Sequence, residues 1–112
     1  MSVAYVIEFE VRPGERGRFL ALLTGVLEAM RHEANYRGAT LHVDPDDPLR
    51  FLLHEVWADH EEVVNVQLRR DYRREWHAAL PELLAVERRI SVWQPIELES
   101  PAQPVARYAC RL

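Results

Sequence analysis

Hydrophobic residues recur at every second position along some stretches of this chain and at every third or fourth along others. That change of period divides it into strands and helices. Tyr5, Ile7, Phe9 and Val11 alternate with Val6, Glu8 and Glu10, which predicts a first strand over 4–11. Arg12-Pro13-Gly14-Glu15 breaks it. Phe19, Leu22, Leu23, Val26, Leu27 and Met30 then form one apolar helical stripe, with Arg16, Arg18, Thr24, Glu28 and Arg31 on the polar side. This helix is expected to close near Asn35, a residue type that accepts the left-handed conformation of a helix end.

The stretch 39–57 reads as a hairpin. Ala39, Leu41 and Val43 oppose Thr40, His42 and Asp44 on one strand; Phe51, Leu53, Glu55 and Trp57 oppose Leu52, His54 and Val56 on the other. The loop between them is expected to span Asp44-Pro45-Asp46-Asp47-Pro48, since proline cannot donate to a ladder and Asp favours turns. Asp59 with Glu62 three residues later makes a capping box for a second helix, whose buried side is expected from Val63, Val66 and Leu68. The register breaks around Arg69-Arg70-Asp71. A further helix carries Tyr72, Trp76, Ala79, Leu80, Leu83 and Leu84, with a kink or fresh turn expected at Pro81. A fourth strand is expected over 87–93, with Ile90 and Val92 opposite Arg89, Ser91 and Trp93.

This order, βαββαβ, predicts an α+β ferredoxin-like fold: an antiparallel sheet with helices on one face. The second hairpin strand is apolar on both sides, so the sheet's bare face needs cover, most simply from a second copy. A homodimer is therefore expected. One domain occupies 1–94, and the Pro-containing tail 95–112 is either a mobile end or an arm that packs on something else, such as the dimer partner.

Composition narrows the classes. At 112 residues the chain has room for one core. Its net charge of −4 and lack of a basic block argue against nucleic-acid binding. The lone cysteine, Cys110, excludes an internal disulfide framework and fits a reducing cytoplasm. No signal peptide opens the chain and no apolar run is long enough to span a membrane, so a cytoplasmic protein is expected. His32, His42, His54, His60 and His77 lack metal-ligand spacing, so no metal is expected.

In order and at compatible spacing, Arg12-Pro13-Gly14, Glu33-Ala34-Asn35, the Asp–Pro loop 44–48, Glu55-Val56-Trp57 and Leu80-Pro81-Glu82-Leu83-Leu84 resemble the landmarks of the antibiotic biosynthesis monooxygenase family. The resemblance covers roughly residues 4–93. It implies a dimeric α/β barrel and a range of activities: cofactor-free oxygenation of quinols and anthrones, haem degradation, or isomerisation of small metabolites. Two departures bear on activity. Gln67 stands where the family commonly has His, and the first strand lacks the Asn of the haem-degrading branch.

The candidate chemistry gathers on the third strand and the last helix. Trp57 suits either stacking on an aromatic ligand or a core or dimer-interface place. Glu55, on the same face, is either a base made available by burial or the partner of an Arg across the dimer. Gln67 either holds a substrate oxygen or is a partly exposed helical residue. His54 and His77 are the candidate proton acceptors, with Gln67 and the Trp57 N–H holding the oxyanion. Glu55, Tyr72, Trp76 and His42 join Trp57 as candidate substrate contacts, Arg73 falls beside them, and the plain alternative for Tyr72 and Trp76 is core packing. The expectation is a cofactor-independent monooxygenase of an aromatic phenol or quinol, taking O₂ as co-substrate. The alternatives are a non-catalytic dimeric ligand-binding or accessory protein and an isomerase.

Overall fold

In the first strand, β1 (Val3–Glu10), alternation sends Tyr5, Ile7 and Phe9 inward and leaves Glu8 and Glu10 at the other surface. It lies inside a four-stranded antiparallel sheet of order β2-β3-β1-β4, with β2 at Tyr36–Asp44, β3 at Asp47–Trp57 and β4 at Arg89–Trp93. The helices α1 (Arg16–Met30), α2 (His60–Asn65) and α3 (Arg74–Leu83) complete the expected βαββαβ plan. The computed structural model describes residues 1–96. The expected tail from 97 on, with Cys110, lies outside the described residues.

Register fixes the two faces of the sheet. Phe9 pairs with Phe51, Ile7 with Leu53, Tyr5 with Glu55 and Val3 with Trp57, and all eight are buried beneath the helix layer. Phe9, Phe51 and Trp76 gather around Phe19 of α1, with ring centroids 5.1, 4.9 and 5.6 Å from the Phe19 ring. Burying each such side chain contributes about 1.5–3 kcal/mol, so this cluster anchors α1 and α3 to the sheet. The open face carries Val6, Leu52 and Val56, half-buried, with Thr40, His42 and His54 exposed.

Several local expectations change. Helix α1 stops at Met30, and among the described residues none other than glycine has positive φ, so Asn35 is not a left-handed cap. Asn35 is instead a buried tie: its amide nitrogen donates to the Asp59 carbonyl at 3.2 Å, and its own carbonyl accepts from the Ala58 N–H at 2.8 Å. The five-residue hairpin loop shrinks to Pro45-Asp46, because Asp44 Oδ1 accepts from the Asp46 N–H and Asp47 Oδ1 from the Leu49 N–H. Those side chains close the turn themselves, and Pro48 precedes the β1 ladder, which ends at Glu10–Arg50.

Asp59 caps α2 as expected, accepting from the Glu62 N–H at 3.2 Å. The helix ends at Asn65, however, and two short 3₁₀ turns, Gln67–Arg69 and Asp71–Arg73, lead to α3. Their tighter winding turns Gln67 and Arg73 inward and leaves the expected Val66 and Leu68 exposed, with only Val63 buried. Helix α3 runs through Pro81 to Leu83, so the expected fresh turn is absent; Pro81 leaves the His77 carbonyl without its i+4 main-chain donor in the last turn. On the edge strand, Ile90 and Val92 point to the helix side yet remain 50% and 56% exposed.

Candidate active site

Between the covered face of the sheet and helices α1 and α3 lies a cavity of about 190 Å³. Its walls are apolar: Ile7, Phe9 and Leu53 from the sheet, Leu23 and Met30 from α1, and Trp76 from α3. Six polar side chains interrupt them, namely Tyr5, Glu55, His60, Arg73, His77 and Arg88. His77 and Arg88 also border a neighbouring depression under the end of α3, so they stand between the two spaces.

Glu55 faces the cavity because β3 alternates, and it is buried because Tyr5 opposes it on β1. Its Oε1 accepts from the Trp57 indole N–H at 3.1 Å. Burial pushes the Glu55 carboxyl up from the ordinary carboxylate range. The indole hydrogen bond and the charges of Arg73 and Arg88 oppose that rise without cancelling it. No ion pair joins Glu55 to any arginine among the described residues. Burial, with Arg88 and Arg73 nearby, lowers His77 and favours its neutral imidazole. On the other side, the Tyr5 hydroxyl and His60 Nδ1 share a 2.6 Å hydrogen bond, and burial beside Glu55 raises the Tyr5 phenol.

The structure therefore brings together only part of the expected set. Glu55, Trp76 and His77 line the cavity. Trp57 is fully buried but does not line it. Its N–H is engaged by Glu55, its ring lies 5.7 Å from the Arg73 guanidinium, and Tyr36 packs edge-on at 5.3 Å. Its ring is packed between these neighbours and its N–H is held by Glu55. Tyr72 stands behind the lining with its hydroxyl buried. Gln67 is 0% exposed rather than a partly exposed helical residue. Its amide nitrogen donates to Glu33 at 2.9 Å and Glu62 at 3.3 Å, tying the 3₁₀ turn to the end of α1 away from the cavity. His54 and His42 lie on the opposite face of the sheet, because each is one residue out of phase with the inward set. His42 borders a shallow hollow there with Glu8 and Arg50.

Tyr5, His60 and Arg88 were not among the candidates. Tyr5 was findable, since it shares the inward face of Phe9 and a hairpin-like register would set it opposite Glu55. Arg88 lies just before β4, although the strand expected over 87–93 already set it in phase with Ile90 and Val92, and His60 reaches the cavity only through the start of α2. Among the described residues no three His, Cys, Asp or Glu side chains converge as a metal site. No helix among them is long and apolar enough to cross a membrane.

The site is thus an apolar cavity under the helices of a ferredoxin-like α+β sheet, with one buried carboxyl in its lining. The family described as antibiotic biosynthesis monooxygenase matches residues 2–79, and the chain belongs to it. Among functionally curated proteins, none matches. Solved structures share the fold. Rv0793 from Mycobacterium tuberculosis is 23% identical with a TM-score of 0.79, the match covering 89% of this chain and 100% of that one. PA3566 from Pseudomonas aeruginosa is 18% identical with a TM-score of 0.76, covering 86% and 95%. SnoaB, a cofactor-independent oxygenase from Streptomyces nogalater, is 18% identical with a TM-score of 0.74, covering 87% and 95%.

Proposed function

We propose that this protein is a cofactor-independent monooxygenase of an aromatic phenol or quinol, acting as a homodimer. The observation that carries the reading is Glu55: a carboxyl held by an indole N–H at the end of an apolar cavity, with no ion pair to fix it as the anion. A carboxylate whose burial raises its proton affinity is a better proton acceptor for a weak acid than an ordinary surface carboxylate. In this scheme the ring packs against Phe9, Leu53 and Trp76. Glu55 takes the phenolic proton, with neutral His77 as a second acceptor. Arg73 and Arg88 stabilise the ring anion, which passes an electron to O₂. Family membership and the fold shared with SnoaB support the reaction class.

The homodimer is supported by the open face, where Val6, Leu52 and Val56 lie together half-buried and Trp93 at the sheet edge is 60% exposed. Oxygen uptake by chelator-treated protein with hydroquinones and anthrones tests the activity. Catalytic uptake is expected, with a loss of about 100-fold or more in Glu55→Gln. The Gln67 amide nitrogen, held by Glu33 and Glu62, favours a second reading, a non-catalytic ligand-binding protein. Binding of the same compounds with no uptake would select it over the oxygenase.

A further inference from the structure

All basic residues of this chain other than histidine are arginines, and among the described residues those at the surface are almost all occupied. Arg12, Arg16 and Arg37 donate to backbone carbonyls, and Arg18, Arg31, Arg50, Arg70, Arg74 and Arg89 pair with carboxylates. Three remain without a hydrogen bond or ion pair among the described residues. One, Arg69, is exposed to water. The other two, Arg73 and Arg88, both line the cavity.

Arg73 is the sharper case. Its residue is buried, and Nε and Nη2 are enclosed with no acceptor. Those two N–H groups lie along one edge of the planar guanidinium and point the same way, the fork that matches a carboxylate's two oxygens. The guanidinium is clamped in place, its carbon 5.7 Å from the Trp57 ring centre and 5.6 Å from that of Tyr72. The Tyr72 hydroxyl is likewise buried without a well-formed hydrogen bond. Arg88 is half-buried on the connection into β4 and faces the same space. A buried cation without a counter-ion is costly, and so is an unpaired buried donor. Glu55, the one acidic side chain of the lining, makes no hydrogen bond or ion pair with either arginine among the described residues, so it leaves both guanidinium forks free for a ligand. A chain of net charge −4 thus encloses a cavity whose charged lining is positive.

We propose that the cavity selects an aromatic ligand bearing a carboxylate, seated against Arg73 and Arg88 with its ring on the apolar wall. This deepens the proposed function and rests on its reading of the cavity as the ligand site: the substrate class becomes a hydroxylated arenecarboxylate. A neutral quinol fills the same apolar space but leaves both guanidinium groups unpaired.

Calorimetric titration of the full chain at pH 7 with 2-naphthoate and with 2-naphthalenemethanol, a neutral compound of similar shape, tests this without turnover. The acid should bind roughly tenfold or more tightly than the alcohol. That preference should collapse in Arg88→Gln and in Arg73→Gln, and persist in Arg69→Gln. Arg73 packs between aromatic rings, so its variant is read only with an unchanged circular dichroism spectrum. Arg88 lies half-exposed on a connection, and its variant carries the test alone if needed. Equal binding of the two compounds, no binding of either, or an acid preference that survives both cavity variants would overturn the proposal. Oxygen uptake separates it from the activity. Turnover of neutral hydroquinones without an acid preference removes the carboxylate and keeps the oxygenase. Acid-selective binding with no uptake from hydroxylated naphthoates does the reverse.

Discussion

The two faces of the sheet hold glutamates on neighbouring strands under opposite conditions. Glu8 of β1 points to the open face and meets Arg50 at 3.3 Å and Arg89 at 3.6 Å, all at the surface. Glu55 of β3 points to the covered face, meets an indole N–H, and has no cation in ion-pair contact. Water and mobile partners satisfy the first at little net gain, since exposed pairs contribute about 0–1 kcal/mol. The second is held by burial in a state that can change with a proton. The pleat alone separates them: one residue of phase decides whether a charge is solvated or poised. His54 and Glu55, adjacent in the chain, are divided in the same way.

The strongest test of that division uses two neighbouring leucines. Leu53→Asp places a charge in the covered core and is expected to unfold the domain, by loss of its circular dichroism and cooperative melt. Leu52→Asp, on the open face, should keep the fold and shift sedimentation from the proposed dimer to monomer. A Leu53→Asp protein that melts like wild type would break the comparison. Trp57→Ala removes a fully buried side chain and should lower stability by about 3–5 kcal/mol in denaturant titration.

A smaller effect follows from the carboxyl itself. Folded Glu55 holds its proton to higher pH than the unfolded chain does. Its contribution is therefore complete below the ordinary carboxylate range and is lost as pH rises through the folded value. Glu55→Gln has no such loss, so its melting temperature should match wild type in acid and exceed it near pH 8. A constant gap across pH would contradict the burial. The least effect is expected for His54→Ala, with oxygen uptake within about twofold of wild type, while His77→Ala in the cavity should fall further.

Period made most of the fold legible. Alternation placed Tyr5, Ile7, Phe9 and Glu55 on their strands, and the three-and-four spacing of Phe19, Leu23, Val26 and Met30 gave α1 its buried face. The errors lie where side chains, rather than period, govern the backbone. Asp44 and Asp47 shorten the hairpin turn by binding their own neighbours' N–H groups, and the 3₁₀ turns after Asn65 reset which residues look inward. The same holds for the site. Glu55, Trp76 and His77 sit on regular elements and could be proposed from phase. Arg88 was in phase with Ile90 and Val92 of the expected strand, while Gln67 and Arg73 owe their burial to the tight turns. Trp57 was visible as a residue of interest, but only the structure gives its N–H to Glu55.

One end of α3 is stitched to the sheet from several directions. Arg12 donates through Nε to the Leu84 carbonyl at 2.8 Å and through Nη2 to that of Pro81 at 3.3 Å. Main-chain bonds of 2.8 Å from Arg12 to Leu83 and from Ala85 to Glu10 flank that grip. The other end, which carries Arg73, Trp76 and His77 to the cavity, is reached through two brief turns. Helix α3 is thus held by main-chain bonds at Leu84 and by side chains at its Arg73 end, through Gln67 and Arg70 on Glu33, which makes Leu84 the expected hinge of any motion that admits a ligand. Hydrogen exchange would register this as slow amides at Arg12 and Ala85 beside fast ones through 66–73; the opposite ranking would place the hinge elsewhere.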